Sequence, residues 1–342
     1  MYIATLDCGT TNTRLYIVDE NANIISRTSQ KVGVRDTAIS GNNKVLKDGI
    51  KDVFIRAIED AGINANEISC ILSSGMITSE LGLVEIPHLW APCSFETLAE
   101  NLTPYEDQTI FPSEIPFYFI RGIKNQFDPN TISMREVGTL DFMRGEETQV
   151  AGLLDDPKIK LPSYVTVLSS HTKFIAVDEK KTVLGSVTTL SGQLYEAILQ
   201  ETFVGKSVRE EDNFNDTEFF NPEIVDRAYD EILKSGFLRG LMYVRFLDTL
   251  VHTPWYERKL FAESLLAAED MRALHQTQEL TGLASSNFVL IGKTRRCRIY
   301  KHLIQRILSG KNSKITVIDD ETKIDLLSIR GALALARLKG II

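Results

Sequence analysis

The sequence predicts an α/β protein of mixed sheets flanked by helices, and three observations carry that expectation. At 342 residues the chain is long enough for two domains of ordinary size. Its last stretch alternates cleanly, with strands over residues 288–291 and 315–318 and helices over 296–308 and 324–338. An order of strand, turn, strand, strand and helix also begins at Tyr2 and begins again at Tyr164, without a residue-level repeat.

Residues 2–7 (YIATLD) are short and apolar, and Gly9-Thr10-Thr11-Asn12-Thr13 is turn chemistry. Residues 14–18 (RLYIV) resume strand-forming types, and Asn21-Ala22-Asn23 turns the chain into Ile24-Ile25. Residues 45–61 then place Ile50, Val53, Phe54, Ala57, Ile58 and Ala61 at helical spacing, with Gly62 as the stop. A strand over 68–72 leads into Ser73-Ser74-Gly75-Met76. In the second half, strands over 164–168 and 174–177 flank the polar turn Ser169-Ser170-His171-Thr172-Lys173. A third strand, 183–190, precedes a helix over 194–202 that Ser191-Gly192 opens. Between the halves, residues 87–129 contain six prolines, too many for a regular core element, and read as a lid or substrate-side insertion. Residues 205–222 are acidic and polar and read as a mobile, solvent-facing loop.

Composition narrows the function. Hydrophobic content of 43% and charged content of 25% exclude collagen-like and disordered chains. Lys+Arg 38 against Asp+Glu 46 gives a net charge of −8, a poor match for nucleic acid or an anionic membrane. Any phosphate must therefore be bound locally, by backbone amides, a metal ion and a few placed cations. Cys8, Cys70, Cys93 and Cys297 form no CxxC pair, and His88, His252, His275 and His302 show no metal-ligand spacing. The N-terminus lacks the pattern of a signal peptide and no run is long enough to span a bilayer, so a cytoplasmic location is expected.

Three segments could carry chemistry. Asp7 at a strand end can hold a hydrated Mg²⁺, while Gly9, Thr10, Thr11 and Asn12 let amides approach phosphate oxygens and Arg14 adds charge. An ordinary hairpin turn uses the same residue types. Arg144-Gly145-Glu146-Glu147 offers a general base, and equally a pair of acids that favours a helix start. Ser169-Ser170-His171-Thr172-Lys173 suits a second phosphate-binding hairpin, or again a plain turn. Gly292-Lys293-Thr294 is not a Walker A motif, because Asn287 stands where that pattern requires Gly. A glycine at that strand-to-helix turn still suits a nucleotide over a helix N-terminus.

Taken in order, these segments resemble the 2-dehydro-3-deoxygalactonokinase family, sugar kinases of the actin/hexokinase/Hsp70 ATPase superfamily. Met143-Arg144-Gly145-Glu146-Glu147-Thr148-Gln149 is similar to that family's MRGEETQ block without a change. Asp7-x-Gly9-Thr10-Thr11-Asn12-x-Arg14, Gly75-Met76 followed by Ser79, and His171-x-Lys173 resemble its DxGSTNxR, AGMxGS and PGTHxKW patterns. The resemblance implies a two-lobed, actin-like ATPase with ribonuclease H-like sheets and ATP in a cleft between lobes. Residues 1–140 would form the N-terminal lobe, with a sugar-acid-binding insertion over about 85–130, and 141–342 the C-terminal lobe.

It further implies ATP- and Mg²⁺-dependent phosphorylation of the terminal hydroxyl of a 2-keto-3-deoxy sugar acid. Asp7 would hold the metal. Gly9, Thr10, Thr11, Asn12, Arg14, Ser170, His171 and Lys173 would take the phosphates, and Gly292, Lys293 and Thr294 the adenosine side. Glu146 would be the base, with Glu147 close behind and Arg144 beside them. Gly75, Met76, Thr78, Ser79 and Glu80 would contact the sugar acid. A homodimer is one candidate assembly. The alternatives are a kinase for another sugar acid, such as 2-keto-3-deoxygluconate, and a catalytically impaired sugar-acid-binding regulator. The sequence departs from the family at Leu168-Ser169-Ser170 (family Pro-Gly-Thr), at Gly292-Lys293-Thr294 (family Gly-Thr-Ser) and at Gly192-Gln193-Leu194 (family Gly-Glu-Leu).

Overall fold

The computed structural model describes residues 1–112, 114–308 and 313–342. Two compact units divide the chain: Met1–Ile159 with Glu179–Leu184 and Thr322–Ile342, and Lys160–Asp178 with Gly185–Glu321.

In the first unit, β1 (Tyr2–Cys8), β2 (Thr13–Asp19) and β3 (Ile24–Gln30) form an antiparallel meander. Helices α1 (Val34–Ser40) and α2 (Lys44–Ala61) follow, and Gly62 ends α2 with a φ of 65°, a left-handed conformation that glycine adopts without strain. Next, β4 (Ile68–Gly75) returns parallel to β1. Ala4, Leu6, Leu15 and Ile17 pack with Val53 and Phe54 of α2 in one buried core.

The proline-rich stretch departs from its expectation. It contains β5 (Leu89–Trp90), β6 (Cys93–Ser94), α3 (Phe95–Glu100), β7 (Thr103–Tyr105), β8 (Phe117–Phe119) and β9 (Ile123–Lys124). Strand β8 is a core element, parallel to β4, with Phe117 and Phe119 buried. All but one of the prolines fall outside these short strands; Pro104 is the middle residue of the edge strand β7, where a missing amide donor is tolerated. The resulting order is β3-β2-β1-β4-β8-β7. Next come β10 (Phe142–Met143), paired with β9, and α4 (Glu146–Leu153).

In the second unit, β11 (Ser163–Leu168) and β12 (Thr172–Val177) pair antiparallel around the second turn. The next strand, β13 (Thr182–Thr189), begins in the first unit, where Thr182 and Val183 pair with Ser94 and Cys93. Helices α5 (Ser191–Glu201) and α6 (Phe203–Ser207) follow. Residues 222–281, to which the sequence analysis assigns no element, form α7 (Pro222–Ser235), α8 (Phe237–Thr249) and the long, largely buried α9 (Trp255–Thr281). Then β14 (Asn287–Gly292), α10 (Thr294–Ile307) and β15 (Lys314–Ile318) complete a sheet in which β15-β14-β11-β12-β13 are neighbours. An antiparallel meander extended by a parallel strand on the first strand's free side is the ribonuclease H-like arrangement. Here it occurs twice, so the recurrence seen in the sequence is a true repeat of topology.

The last helix, α11 (Glu321–Lys339), belongs almost wholly to the first unit and crosses α4 at two glycines. A Cβ on Gly152 would stand 1.9 Å from the Leu327 carbonyl oxygen, and one on Gly331 would stand 1.9 Å from that of Thr148. No rotamer relieves a clash between backbones. Gly331→Ala is expected to destabilise the fold by about 1–3 kcal/mol, read as a shifted denaturant midpoint. A midpoint equal to wild type would contradict this crossing.

Candidate active site

In the first unit the sequence-predicted residues meet where β1, β4 and the start of α4 converge. Asp7 faces Arg14 across the β1–β2 ladder and Ser74 on β4. Its carboxylate is 3.9 Å from the Arg14 guanidinium, and 38% of the side chain remains exposed. The protein crowded around Asp7 pushes its pKa up to about 6; Arg14 opposes this, while Asp325 and Glu146 add to it. Asp7 is thus crowded by protein yet open to water.

In the following turn, the Gly9 amide bonds the Asn12 carbonyl at 2.9 Å. The Gly9 and Thr10 carbonyls accept from the amides of Val34 and Arg35, at 3.2 and 2.9 Å. This requires α1 to start against the turn, and a Cβ on Gly33 would come within 2.5 Å of the Thr10 carbonyl oxygen. The amides of Thr10, Thr11 and Asn12 make no hydrogen bond among the described residues. A tied-back turn with free amides is an anion-binding shape.

Gly75 and Gly145 bring the other two backbones in, with φ of 89° and 106°, where a side chain is strained. A Cβ on Gly75 would lie 3.0 Å from Asp7 Oδ1, and one on Gly145 would lie 3.5 Å from the Gly75 Cα. At this turn the two adjacent glutamates separate. Glu147 is fully buried, and its carboxylate accepts the Gly145 amide at 2.9 and 2.8 Å and the Thr148 hydroxyl at 3.0 Å. Burial, with the Glu146 charge beside it, pushes its pKa up to about 8. Glu146 is half-buried, acts electrostatically on Asp7, and forms no hydrogen bond or ion pair among the described residues.

Arg144 donates to the Thr78 hydroxyl at 2.5 Å and to the Ile86 carbonyl at 2.9 Å, fastening the loop after β4. In that loop Thr78 is fully buried and Ser79 donates to the Met76 carbonyl at 2.7 Å. Gly75 is buried as well, which leaves Met76 and Glu80 to present side-chain surface.

The second unit holds a cavity of about 350 Å³ at the β11–β12 turn. Ser169 and Ser170 form part of its rim, and Lys293, Arg295 and Arg296 of the α10 start form another part. Its apolar wall includes Leu266, Ala267 and Ile299. Gly292, with φ of 155°, lets β14 end tightly against β11, since a Cβ would stand 2.7 Å from that of Leu168. Thr294 begins α10 without lining the cavity. His171 stays at the turn, 3.3 Å from the Ser170 hydroxyl. Lys173 does not: it is 3% exposed within β12, and its ammonium donates to the Thr188 hydroxyl at 2.5 Å.

Sequence reasoning passed over Tyr195, Glu263 and Asp216. Arg295 joins them, bonding Glu263 at 2.5 Å and Asp216 at 2.7 Å, while the Tyr195 hydroxyl donates to Glu263 at 3.3 Å. Asp216 is 7% exposed and also binds Lys259 at 2.9 Å, so the acidic segment 205–222 is fastened to the cavity wall rather than free in solvent. No short motif marks these residues; they converge only in the fold. No group of three or more potential metal ligands occurs among the described residues, and no helix among them is long and apolar enough to cross a membrane.

The family profile of 2-keto-3-deoxy-galactonokinase matches residues 7–323. The chain belongs to the 2-keto-3-deoxy-galactonokinase family. Two relatives are a protein named a probable 2-dehydro-3-deoxygalactonokinase from Rhizobium meliloti (strain 1021), 23% identical over 62% of this chain, and the 2-dehydro-3-deoxygalactonokinase of Escherichia coli (strain K12), 26% identical over 63%. The chain spans 61% and 62% of the length of these relatives. A crystal structure from Sinorhizobium meliloti, named for the same activity, superposes with a TM-score of 0.72 at 20% identity, covering 98% of both chains. The likeness of fold to that structure therefore extends over 98% of the chain.

The buried Glu147 makes a prediction about stability. Its proton is held up to about pH 8 in the folded state, whereas the unfolded carboxyl loses it near 4.5. Between those values the folded state binds more protons, so stability falls as pH rises. Glu147→Gln is expected to flatten this fall in thermal unfolding scans from pH 4.5 to 8. A variant with the wild-type slope would show that Glu147 does not carry it.

Proposed function

We propose that this chain is an ATP-dependent kinase that phosphorylates the terminal hydroxyl of 2-dehydro-3-deoxygalactonate. The observation that carries the reading is Glu146, a carboxylate without a partner among the described residues, placed beside the water-facing Asp7 by the Gly145 turn. In-line phosphoryl transfer asks the protein mainly for positioning and charge stabilisation, and a base of this kind supplies the rest.

In this reading Glu146 accepts the proton of the attacking hydroxyl. Glu147 cannot take that role, because its buried oxygens are occupied by the turn. Arg144 acts by holding the Thr78 loop, so that Met76 and Glu80 can face the sugar acid. In the first unit the amides of Thr10, Thr11 and Asn12, with Arg14, suit donation to phosphate oxygens; in the second unit the Ser170-His171 turn suits the same chemistry. The nucleoside occupies the cavity of the second unit, whose volume lies within the usual range of about 300–1,000 Å³. A single accessible carboxylate suits Mg²⁺, which keeps several waters and takes one or two carboxylates plus phosphate oxygens. Asp7 would hold it there, and the ion would supply charge neutralisation on the phosphates.

The deciding test is an ATP-coupled assay against a panel of 2-keto-3-deoxy sugar acids and simple sugars. Turnover is expected with 2-dehydro-3-deoxygalactonate; turnover with a different sugar acid alone would reassign the substrate, and none at all would favour a binding protein. Glu146→Gln is expected to lower kcat by about 10²–10⁴-fold with little change in KM for ATP. A crippled Glu147→Gln beside an active Glu146→Gln would move the base by one residue. Asp7→Asn should lower kcat by orders of magnitude with an unchanged circular dichroism spectrum; near-wild-type turnover would remove Asp7 from the mechanism.

A further inference from the structure

The two hairpins expose free amides by different means. In the first, the α1 amides of Val34 and Arg35 occupy the carbonyls of Gly9 and Thr10. In the second, the Ser170 carbonyl accepts the Gln193 amide at 2.7 Å, and the Ser169 hydroxyl bonds the His171 carbonyl at 2.9 Å. The remaining carbonyl, that of Ser169, is taken by a side chain: Arg296 Nη1 donates to it at 2.6 Å. Arg296 Nη2 reaches the Thr172 hydroxyl at 2.8 Å and the Ser191 hydroxyl at 3.3 Å, and those two hydroxyls are 2.6 Å apart. One guanidinium therefore ties together the β11–β12 turn, β12 and the start of α5. The amides of Ser169, Ser170 and His171 make no hydrogen bond among the described residues.

The position of Arg296 is costly on its own terms. Lys293, Arg295, Arg296 and Arg298 crowd the beginning of α10, where the helix dipole disfavours cations and no acid in the first turn offsets them. Its carbonyl and hydroxyl contacts offset that cost. The turn it holds is also the one that lacks glycine, so nothing in the turn's own backbone preference selects a phosphate-binding shape. The sequence departure Ser169-Ser170 in the hairpin is thus in direct contact with Arg296 at the α10 start.

We infer that Arg296 is a positioning residue for nucleotide binding: its guanidinium pins the glycine-free Ser169-Ser170 turn so that the turn's amides donate to the oxygens of the polyphosphate. The inference rests on the nucleotide reading of the second-unit cavity, and it concerns phosphates rather than the base or ribose. A planar fork is required, because a single ammonium cannot bond the Ser169 carbonyl and the Thr172 hydroxyl with fixed geometry.

Calorimetric titration of the full chain with Mg·AMP-PNP and, separately, with adenosine tests this without any sugar acid. Arg296→Met, which keeps an unbranched apolar stem but removes the guanidinium that lies 5.8 Å from the Tyr300 ring centroid, is expected to weaken AMP-PNP by about tenfold or more and adenosine by less than about twofold. Arg296→Lys is expected to behave like Arg296→Met. Equal loss for both ligands would show a collapsed cavity instead of a lost phosphate contact, and full recovery by Arg296→Lys would show that charge alone matters; either result overturns the inference, as does unchanged AMP-PNP binding. Should Arg296→Met fail to fold, Thr172→Val removes one acceptor of the same guanidinium and should produce a smaller loss confined to AMP-PNP, its absence being equally fatal. A wild-type chain that binds neither ligand overturns the cavity reading itself, whatever the sugar-acid assay gives.

Discussion

A turn can offer amides to an anion only if its own carbonyls are satisfied elsewhere, and much of the candidate site depends on that constraint. Left unpaired, the carbonyl oxygens would repel phosphate from the same few ångströms of backbone that should attract it. The Gly9–Asn12 turn meets the requirement through Val34 and Arg35, whose amides are free because they begin a helix. This explains why Gly33 must be glycine: a Cβ would collide with the Thr10 carbonyl oxygen that the helix start is there to cover. The Ser169–His171 turn meets it through Gln193, Ser169's own hydroxyl and Arg296. Gly192 must likewise be small, with a Cβ only 2.2 Å from the Ser169 carbonyl oxygen.

Glu147 extends the same logic to an amide. The Gly145 N–H would begin α4 unpaired, and the backbone there is held at a positive φ beside Gly75. A buried carboxylate from the helix's second residue closes on it with both oxygens. Burying that carboxylate is unfavourable, as its raised pKa of about 8 records. The raised pKa is the consequence of using an ionisable group as a buried local backbone partner. What it secures is a fixed direction for the next side chain, Glu146.

Elements with strong periodicity were legible. The β1–β2 hairpin, α2 with its Gly62 stop, and the alternating tail all sit within three residues of where apolar spacing places them, because those segments bury one face against a core. The β8 strand was not legible, since three residues directly after a proline carry no period, and its burial comes from Tyr105, Phe111 and β4 arriving from elsewhere in the chain. Helix α9 escaped for the opposite reason: it is buried around much of its circumference, so no single stripe stands out.

The site divides along similar lines. Glycines at positive φ and the Asp7 turn are local facts, fixed by a few consecutive residues, and the sequence shows them. Which of two adjacent acids faces outward is not local. Successive helical residues point about 100° apart, so one of Glu146 and Glu147 must be turned inward, yet only the position of Gly75 against Gly145 decides which. Lys173 poses the same problem in a strand: proximity to His171 suggests the turn, but β12 is buried on both faces, and the ammonium is drawn to Thr188 inside the sheet. Arg295 and Arg296 are adjacent cations with different tasks, one in a network with Glu263 and Asp216, the other beneath a phosphate-type turn. Sequence spacing tells that charge gathers at the α10 start. Only the partners, drawn from positions more than a hundred residues away for Ser169, Thr172 and Ser191, separate structural charge from charge that shapes a binding turn.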